Sequence, residues 1–179
     1  MVTGLDDPVE KWPRDHELLA NVTGRRPEEV APYRFGPPVS PHLAAELAGA
    51  TIEPARLVEL ARDDRFVVCE GVGGLLVPLT PGYLVRDLAI ELGLPLLIAA
   101  RTGLGTINHT LLTVEAARTA GLEVAAVVMT PWPDEPEPIE ASNRATIERL
   151  ARVPVATLPP TDPGSLAAAG ARLPLDDWL

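Results

Sequence analysis

The run Leu94-Pro-Leu-Leu-Ile-Ala-Ala100 is apolar throughout, and so is Val124-Ala-Ala-Val-Val-Met129. Such continuous apolar runs are typical of strands that are buried on both faces of a parallel sheet. Two further short strands are predicted at Phe66–Cys69 and Val153–Leu158, and a helix is predicted at Thr110–Ala120 between the two long runs. This alternation predicts an α/β fold with a doubly wound, mostly parallel sheet.

Helices are predicted around these strands from apolar periodicity and from the residues at their ends. Ser40 is a candidate N-cap, followed by Pro41 at the first helical position. The predicted helices are 15–20, 41–48, 53–63, 84–92, 110–120 and 139–152. Residues 25–41 read as an irregular ordered loop, and 161–179 as a tail with room for one more helix. No repeat or linker interrupts residues 1–179, which predicts one domain.

Composition narrows the class of protein. Hydrophobic residues make up 46% of the 179 residues and charged residues 22%, as in globular chains. No apolar run reaches the roughly 18–20 residues that span a bilayer, and no leader pattern opens the chain, so no membrane partner is expected. The single Cys69 excludes a disulfide framework and suits a reducing compartment, so we expect a cytoplasmic protein. The net charge of −10 disfavours nucleic acid as a partner.

Glu70 follows the first predicted strand and opens the segment Glu-Gly-Val-Gly-Gly, residues 70–74. A carboxylate is a hard oxygen ligand for Mg²⁺, and glycines let backbone N–H groups approach phosphate oxygens closely. The segment therefore fits a magnesium–phosphate site. A tight turn with a solvated glutamate explains the same residues.

The segment after the second strand, Arg101-Thr-Gly-Leu-Gly-Thr-Ile-Asn108, is a glycine loop that leads into a helix starting near Thr106 or Asn108. A helix N-terminus presents free N–H groups, so this loop is a candidate anion site. The alternative is an ordinary connection with Asn108 as its cap.

Proline-rich loops follow the last two strands, at Thr130–Pro133 and Leu158–Pro160. Rigid proline walls can hold a flat ring such as a nucleobase, although most such loops only connect elements. Among the acidic residues near the amino terminus, Asp15 stands out because it follows a proline-rich entry. The phosphate-binding motif G-x-x-x-x-G-K-[ST] does not occur, and the only lysine, Lys11, has no glycine cradle.

In this order, the segments resemble the dethiobiotin synthetase family, which closes the ureido ring of biotin at the expense of ATP. Two segments are specific to the family: Cys69-Glu-Gly-Val-Gly-Gly-Leu-Leu-Val-Pro-Leu79 and Gly103-Leu-Gly-Thr-Ile-Asn-His-Thr-Leu-Leu-Thr113. Others only agree with it, namely residues 15–19, 38–42, 94–98, 142–143 and 153–155. The resemblance covers nearly the whole chain.

The resemblance implies a P-loop NTPase fold, a homodimer with active sites at the subunit interface, and the substrates 7,8-diaminononanoate, CO₂ and ATP with Mg²⁺. By position, Asp15 and Glu70 resemble the acidic Mg²⁺ partners. The implied nucleotide-binding residues are Asp15, Glu70, Gly71, Val72, Gly73, Thr130, Pro131, Leu158, Pro159 and Pro160. The implied substrate-binding residues are Thr3, Ser40, Pro41, Gly105, Thr106, Ile107 and Asn108, of which the last four receive the substrate carboxylate from the neighbouring subunit.

The chain departs from the family pattern at two places. Thr130 stands where many members carry an asparagine that reads adenine, so we expect looser nucleotide choice. Met1-Val-Thr-Gly4 aligns with the end of a motif whose catalytic lysine would precede Met1, so the first strand–P-loop–helix unit is missing. Three alternatives explain the missing unit: the start codon is misplaced, the product is degenerate, or another chain supplies the segment. Expressed alone, residues 1–179 are expected to be poorly soluble or inactive.

Two other functions stay open beside an ATP-dependent ligase. One is a related P-loop amidoligase of the cobyrinic acid a,c-diamide synthase type. The other is a non-catalytic binding or dimerisation module.

Overall fold

The carboxyl-terminal half of the chain forms a three-stranded parallel sheet in a computed structural model that describes residues 1–7, 12–62 and 66–178. Lys11 lies outside the described residues. The chain divides into two units, Met1–Leu92 and Gly93–Leu179, and each is described by itself. The single domain expected from the sequence stays a prediction.

The sheet of the second unit has the order β3-β4-β5, with β4 in the centre. Its strands are β3 (Leu96–Ala100), β4 (Val124–Met129) and β5 (Val155–Thr157). Each parallel step requires a crossover, and α6 (Thr106–Thr119) and α7 (Pro138–Ala151) supply the two. These elements confirm the predicted alternation, with β5 shorter than the predicted 153–158.

The central strand is buried on both faces, but the edge strand is not. Ala126, Val127 and Met129 of β4 have no exposed surface, which fits the expectation for an apolar run. In β3 the burial alternates, and Leu97 remains 40% exposed. The prediction that 94–100 is buried on both faces is therefore wrong, because the alternating burial of β3 shows that only one of its faces is covered.

The first unit is mainly helical. Its elements are α1 (Asp15–Thr23), α2 (Pro27–Val30), α3 (Pro41–Leu47), α4 (Pro54–Ala61), β1 (Pro78–Thr80), β2 (Tyr83–Leu84) and α5 (Val85–Leu92). The core of this unit gathers Phe35, Ala44, Ala45 and Ile52. The strands β1 and β2 pair antiparallel across a turn at Pro81 and Gly82.

Three sequence expectations need correction here. Phe66–Cys69 is not a strand, because no described strand pairs with it, and Phe66 and Val68 are 72% and 80% exposed. The segment 25–41 is not wholly irregular, since Pro27 starts the short helix α2. The helix predicted at 110–120 begins four residues earlier, at Thr106, which is one of the two starts that the glycine loop indicated.

The tail carries the predicted extra helix, α8 (Leu166–Gly170), followed by a 3₁₀ turn at Leu175–Asp177. Among the described residues, no helix has both the length and the apolar character needed to cross a membrane.

Candidate active site

A cavity of about 530 Å³ in the first unit gathers six of the residues that the sequence singled out. They are Thr3, Asp15, Glu70, Gly71, Val72 and Gly73. The remaining wall is largely apolar and includes Leu57, Leu79 and Leu88. The two acidic residues expected to face a metal therefore both line one cavity, although they are 55 positions apart in the sequence.

Asp15 is the first residue of α1, where the helix N-terminus favours a negative charge. Partial burial, and then the negative charge of Asp15, raise the pKa of the Glu70 carboxyl above its usual value. The charged form of Glu70 is thus disfavoured first by its removal from water and then by repulsion from Asp15, while the positive amino terminus of Met1 opposes the shift. A cation placed between them would relieve that repulsion.

The donor chemistry of this pair fits Mg²⁺, which protein carboxylates commonly bind in ones or twos together with water and phosphate oxygens. Within residues 1–7, 12–62 and 66–178, no group of three or more His, Cys, Asp or Glu side chains is placed to hold a metal. Asp15 and Glu70 would thus supply two ligands, and the others would have to come from a bound phosphate group and water.

The turn after Glu70 requires glycine for steric reasons. A Cβ on Gly71 would lie 2.9 Å from Cγ1 of Val85, and Gly73 has a φ of +81°, which disfavours any side chain. The Gly74 amide donates to the carbonyl of Val72 at 3.1 Å, which closes the turn. The local backbone is therefore a tight turn, and it also borders the cavity.

His16 lines the same cavity and was not singled out by the sequence. It is only 6% exposed, and its Nδ1 has no hydrogen-bond partner among the residues that the structure describes. Buried polar atoms are usually paired, so this imidazole is an exception in the wall of the cavity. Its position beside Asp15 was the only signal available in the sequence.

Ser40 and Pro41 begin α3, as predicted, but they are not part of the cavity lining. Ser40 occupies the N-cap position without capping through its side chain. Its Oγ lies 3.0 Å from Nδ1 of His42, and this contact takes the place of the expected capping bond. Pro41 is fully buried.

In the second unit, the glycine loop leads directly into α6. Gly105 is the N-cap residue with a φ of 90° and no side-chain cap. The Thr106 hydroxyl is buried and donates to the carbonyl of Arg101 at 2.6 Å, so any ligand contact there falls to backbone N–H groups. Asn108 is the third residue of the helix and is exposed, so the alternative that Asn108 caps the helix is wrong.

The first-turn amides of Ile107 and Asn108 have no backbone acceptor in the described part of the chain. The first four N–H groups of any helix lack an intrahelical partner. With Gly105 at the N-cap, no side-chain oxygen takes their place. The α6 terminus can therefore donate to an anionic oxygen.

The two proline-rich loops lie against each other at the carboxyl ends of the strands. The Thr130 amide donates to the Ala100 carbonyl at 2.9 Å, and the Trp132 amide donates to the Leu158 carbonyl at 2.7 Å. The Arg144 guanidinium lies 5.9 Å from the centre of the Trp132 ring. The loops that contain Thr130 and Leu158 are thus joined through Trp132. The pairing of Trp132 with Arg144 was not predicted, because it joins two different elements.

Comparison with known proteins identifies the family. Residues 7–164 match the AAA domain family. The chain is 48% identical over 154 residues to the ATP-dependent dethiobiotin synthetase BioD of Anaeromyxobacter dehalogenans (strain 2CP-1 / ATCC BAA-258), which covers 82% of this chain and 69% of that protein. This chain belongs to the dethiobiotin synthetase family.

Other dethiobiotin synthetases align over similar lengths. The BioD protein of Anaeromyxobacter sp. (strain K) is 49% identical over 137 residues, covering 74% of this chain and 61% of the relative. That of Mycobacterium avium (strain 104) is 43% identical over 174 residues, covering 93% and 74%. The chain thus aligns with about two thirds of the length of these relatives. Family membership confirms the predicted α/β class of P-loop NTPase type.

Proposed function

We propose that this chain acts in the cytoplasm as an ATP-dependent dethiobiotin synthetase, a ligase whose substrates are 7,8-diaminononanoate, CO₂ and ATP. One amine of the substrate attacks CO₂ to give a carbamate. A carbamate oxygen then attacks the γ-phosphorus of ATP, and ADP leaves. The second amine attacks the carbonyl carbon of the resulting carbamic-phosphoric anhydride, which closes the ring and releases phosphate.

The observation that carries this proposal is the meeting of Asp15 and Glu70 at one cavity beside the Gly71–Gly73 turn. We assign both carboxylates to Mg²⁺. When bound, the ion neutralises charge on the phosphate oxygens of ATP. Asp15 and Glu70 would hold the Mg²⁺ ion beside the Gly71–Gly73 turn. The backbone amides of that turn would then donate to the same phosphate group.

The diamine substrate is assigned to two sets of residues. Thr3, which lines the cavity, is assigned to border it, and so is the start of α3 at Ser40 and Pro41, where only Ser40 has exposed surface. The amino terminus of α6, Gly105–Asn108, is assigned to the substrate carboxylate. The uncapped amides of Ile107 and Asn108 support this assignment, because they can donate to a carboxylate oxygen. In the proposed homodimer, the diamine is bound in the site of one protomer, and its carboxylate reaches α6 of the neighbouring protomer.

The nucleobase is assigned to the loops Thr130–Pro131 and Leu158–Pro160. The contact between these loops supports a common binding surface. A threonine offers one hydroxyl, whereas an asparagine offers both an acceptor and a donor on one edge. We therefore propose that this surface discriminates weakly between nucleobases.

Titration calorimetry of the chain with 7,8-diaminononanoate and with Mg-ATP tests the proposal, together with an assay of dethiobiotin formation. Binding of both ligands is expected, whereas residues 1–179 expressed alone are expected to form little dethiobiotin, as the sequence analysis predicts. Absence of binding by either would favour the non-catalytic binding or dimerisation module. Binding of Mg-ATP with a different carboxylate acceptor would point to the related amidoligase.

A further inference from the structure

Asn143 is a polar side chain of α7 that lies almost wholly inside the second unit, with 7% of its surface exposed. Its Nδ2 donates to the carbonyl oxygen of Thr102 at 2.8 Å and to that of Gly103 at 3.2 Å. A single amide therefore connects α7 to the loop that precedes α6. A buried amide of this kind costs free energy if it loses its partners, so it constrains the loop strongly.

Three successive carbonyls of that loop are engaged by side chains. Arg101 accepts from the Thr106 hydroxyl, and Thr102 and Gly103 accept from Asn143. A carbonyl oxygen carries partial negative charge and repels an anion, whereas the first N–H groups of a helix attract one. Binding of an anion at α6 therefore depends on where this loop holds its carbonyls.

We propose that Asn143 is a positioning residue for the carboxylate of the diamine substrate. It contacts no ligand. It fixes the carbonyls of Thr102 and Gly103, so that the amides of Ile107 and Asn108 meet the carboxylate in a constant geometry. This inference rests on the function proposed above and adds a residue from a second element, α7, to the carboxylate end of the site.

The test compares Asn143→Ala with Ile147→Val in the full chain. Ile147 lies one turn further along α7 and is fully buried, so its truncation lowers stability without touching the loop. Affinities for 7,8-diaminononanoate and for Mg-ATP are measured by calorimetry, and hydrogen exchange is followed at residues 103–108.

Asn143→Ala is expected to weaken diaminononanoate binding by about 5–20-fold and to leave Mg-ATP binding within about 2-fold. Hydrogen exchange of the amides at residues 103–108 should be faster in Asn143→Ala than in the wild type. Ile147→Val should lower the melting temperature and leave both affinities unchanged. Asn143→Asp should weaken diaminononanoate binding at least as much as alanine, because a carboxylate would face two carbonyls and repel the substrate.

Two results would overturn the positioning role while the proposed function stands. One is wild-type affinity in Asn143→Ala despite faster loop exchange. The other is an equal decrease in the affinity for both ligands in Asn143→Ala and in Ile147→Val, which would indicate a general loss of stability. If the unmodified chain binds no diaminononanoate, the proposed function fails, and the positioning role fails with it.

Discussion

Asp15 and Glu70 line one cavity, and there partial burial and the negative charge of Asp15 raise the pKa of Glu70. A Glu70 carboxylate held in this way lowers the stability of the folded protein at neutral pH when no metal ion is bound. Sites that bind charged ligands commonly carry such a cost, because the repulsion is relieved only when the ligand arrives. The first prediction follows from this relationship.

Glu70→Gln should raise the stability of the metal-free protein at pH 7. The folded-state pKa of Glu70 lies above its unfolded value, so the folded protein is penalised as the pH rises through the folded pKa and is not penalised below about pH 4. The gain in melting temperature at pH 7 should be small, about 1–2 °C, because solvent screens this partly exposed group. Thermal unfolding between pH 4 and pH 8 measures it.

Glu59→Gln is the matched control, since it removes an equal charge from an exposed position of α4. Its melting temperature should follow that of the wild type across the pH range. Equal gains in both variants would show that net charge alone, rather than the pairing with Asp15, explains the effect.

His16→Phe should stabilise the chain. The Nδ1 of His16 is buried without a partner, and phenylalanine fills a similar volume with no polar atom. A gain of about 1 kcal/mol would raise the melting temperature by about 2–4 °C. His16→Ala leaves a cavity and should lower it. A lower melting temperature in the phenylalanine variant would mean that the imidazole makes a bond that the structure lacks.

Val68→Lys should reduce self-association. The segment around Val68 is not paired in a sheet, and this side chain is 80% exposed. Exposed apolar side chains of this kind promote association between molecules, which a lysine opposes. Light scattering during a concentration series measures the effect. Val22→Lys, at a 76% exposed position of α1, is the control and should change scattering little.

Thr130→Asn should sharpen nucleotide choice. We expect the wild-type chain to bind ATP, CTP and GTP with affinities within about one order of magnitude, because one hydroxyl reads a base edge weakly. The asparagine variant should favour ATP. Competition binding compares the three nucleotides, and a strong ATP preference in the wild type would contradict the role assigned to Thr130.

Local patterns predicted the parts of the fold that depend on neighbouring residues. The apolar run at Val124–Met129 became the central strand, and the glycine loop ending at Gly105 led into α6 at Thr106 as expected. A strand, however, is a property of pairing. Phe66–Cys69 has strand composition but no described partner, so composition alone misled the prediction.

The missed parts of the candidate site all depend on contacts distant in sequence. Asn143 reaches a loop 40 and 41 positions earlier, and the Trp132 amide meets Leu158 across two strand ends. Neither contact leaves a periodic or spaced pattern in the sequence. Asp15 and Glu70 could be paired in advance only because a family resemblance placed both near the same metal.

The most direct test of the account is the pKa of Glu70, measured by NMR of a carbon-13-labelled carboxyl with and without Mg²⁺ and ATP. If Asp15 and Glu70 share the ion, Mg²⁺ should lower the Glu70 pKa in the wild type, and Asp15→Asn should reduce that response. A Glu70 pKa that does not change with Mg²⁺, with or without ATP, would contradict the assignment of this carboxylate pair to the metal.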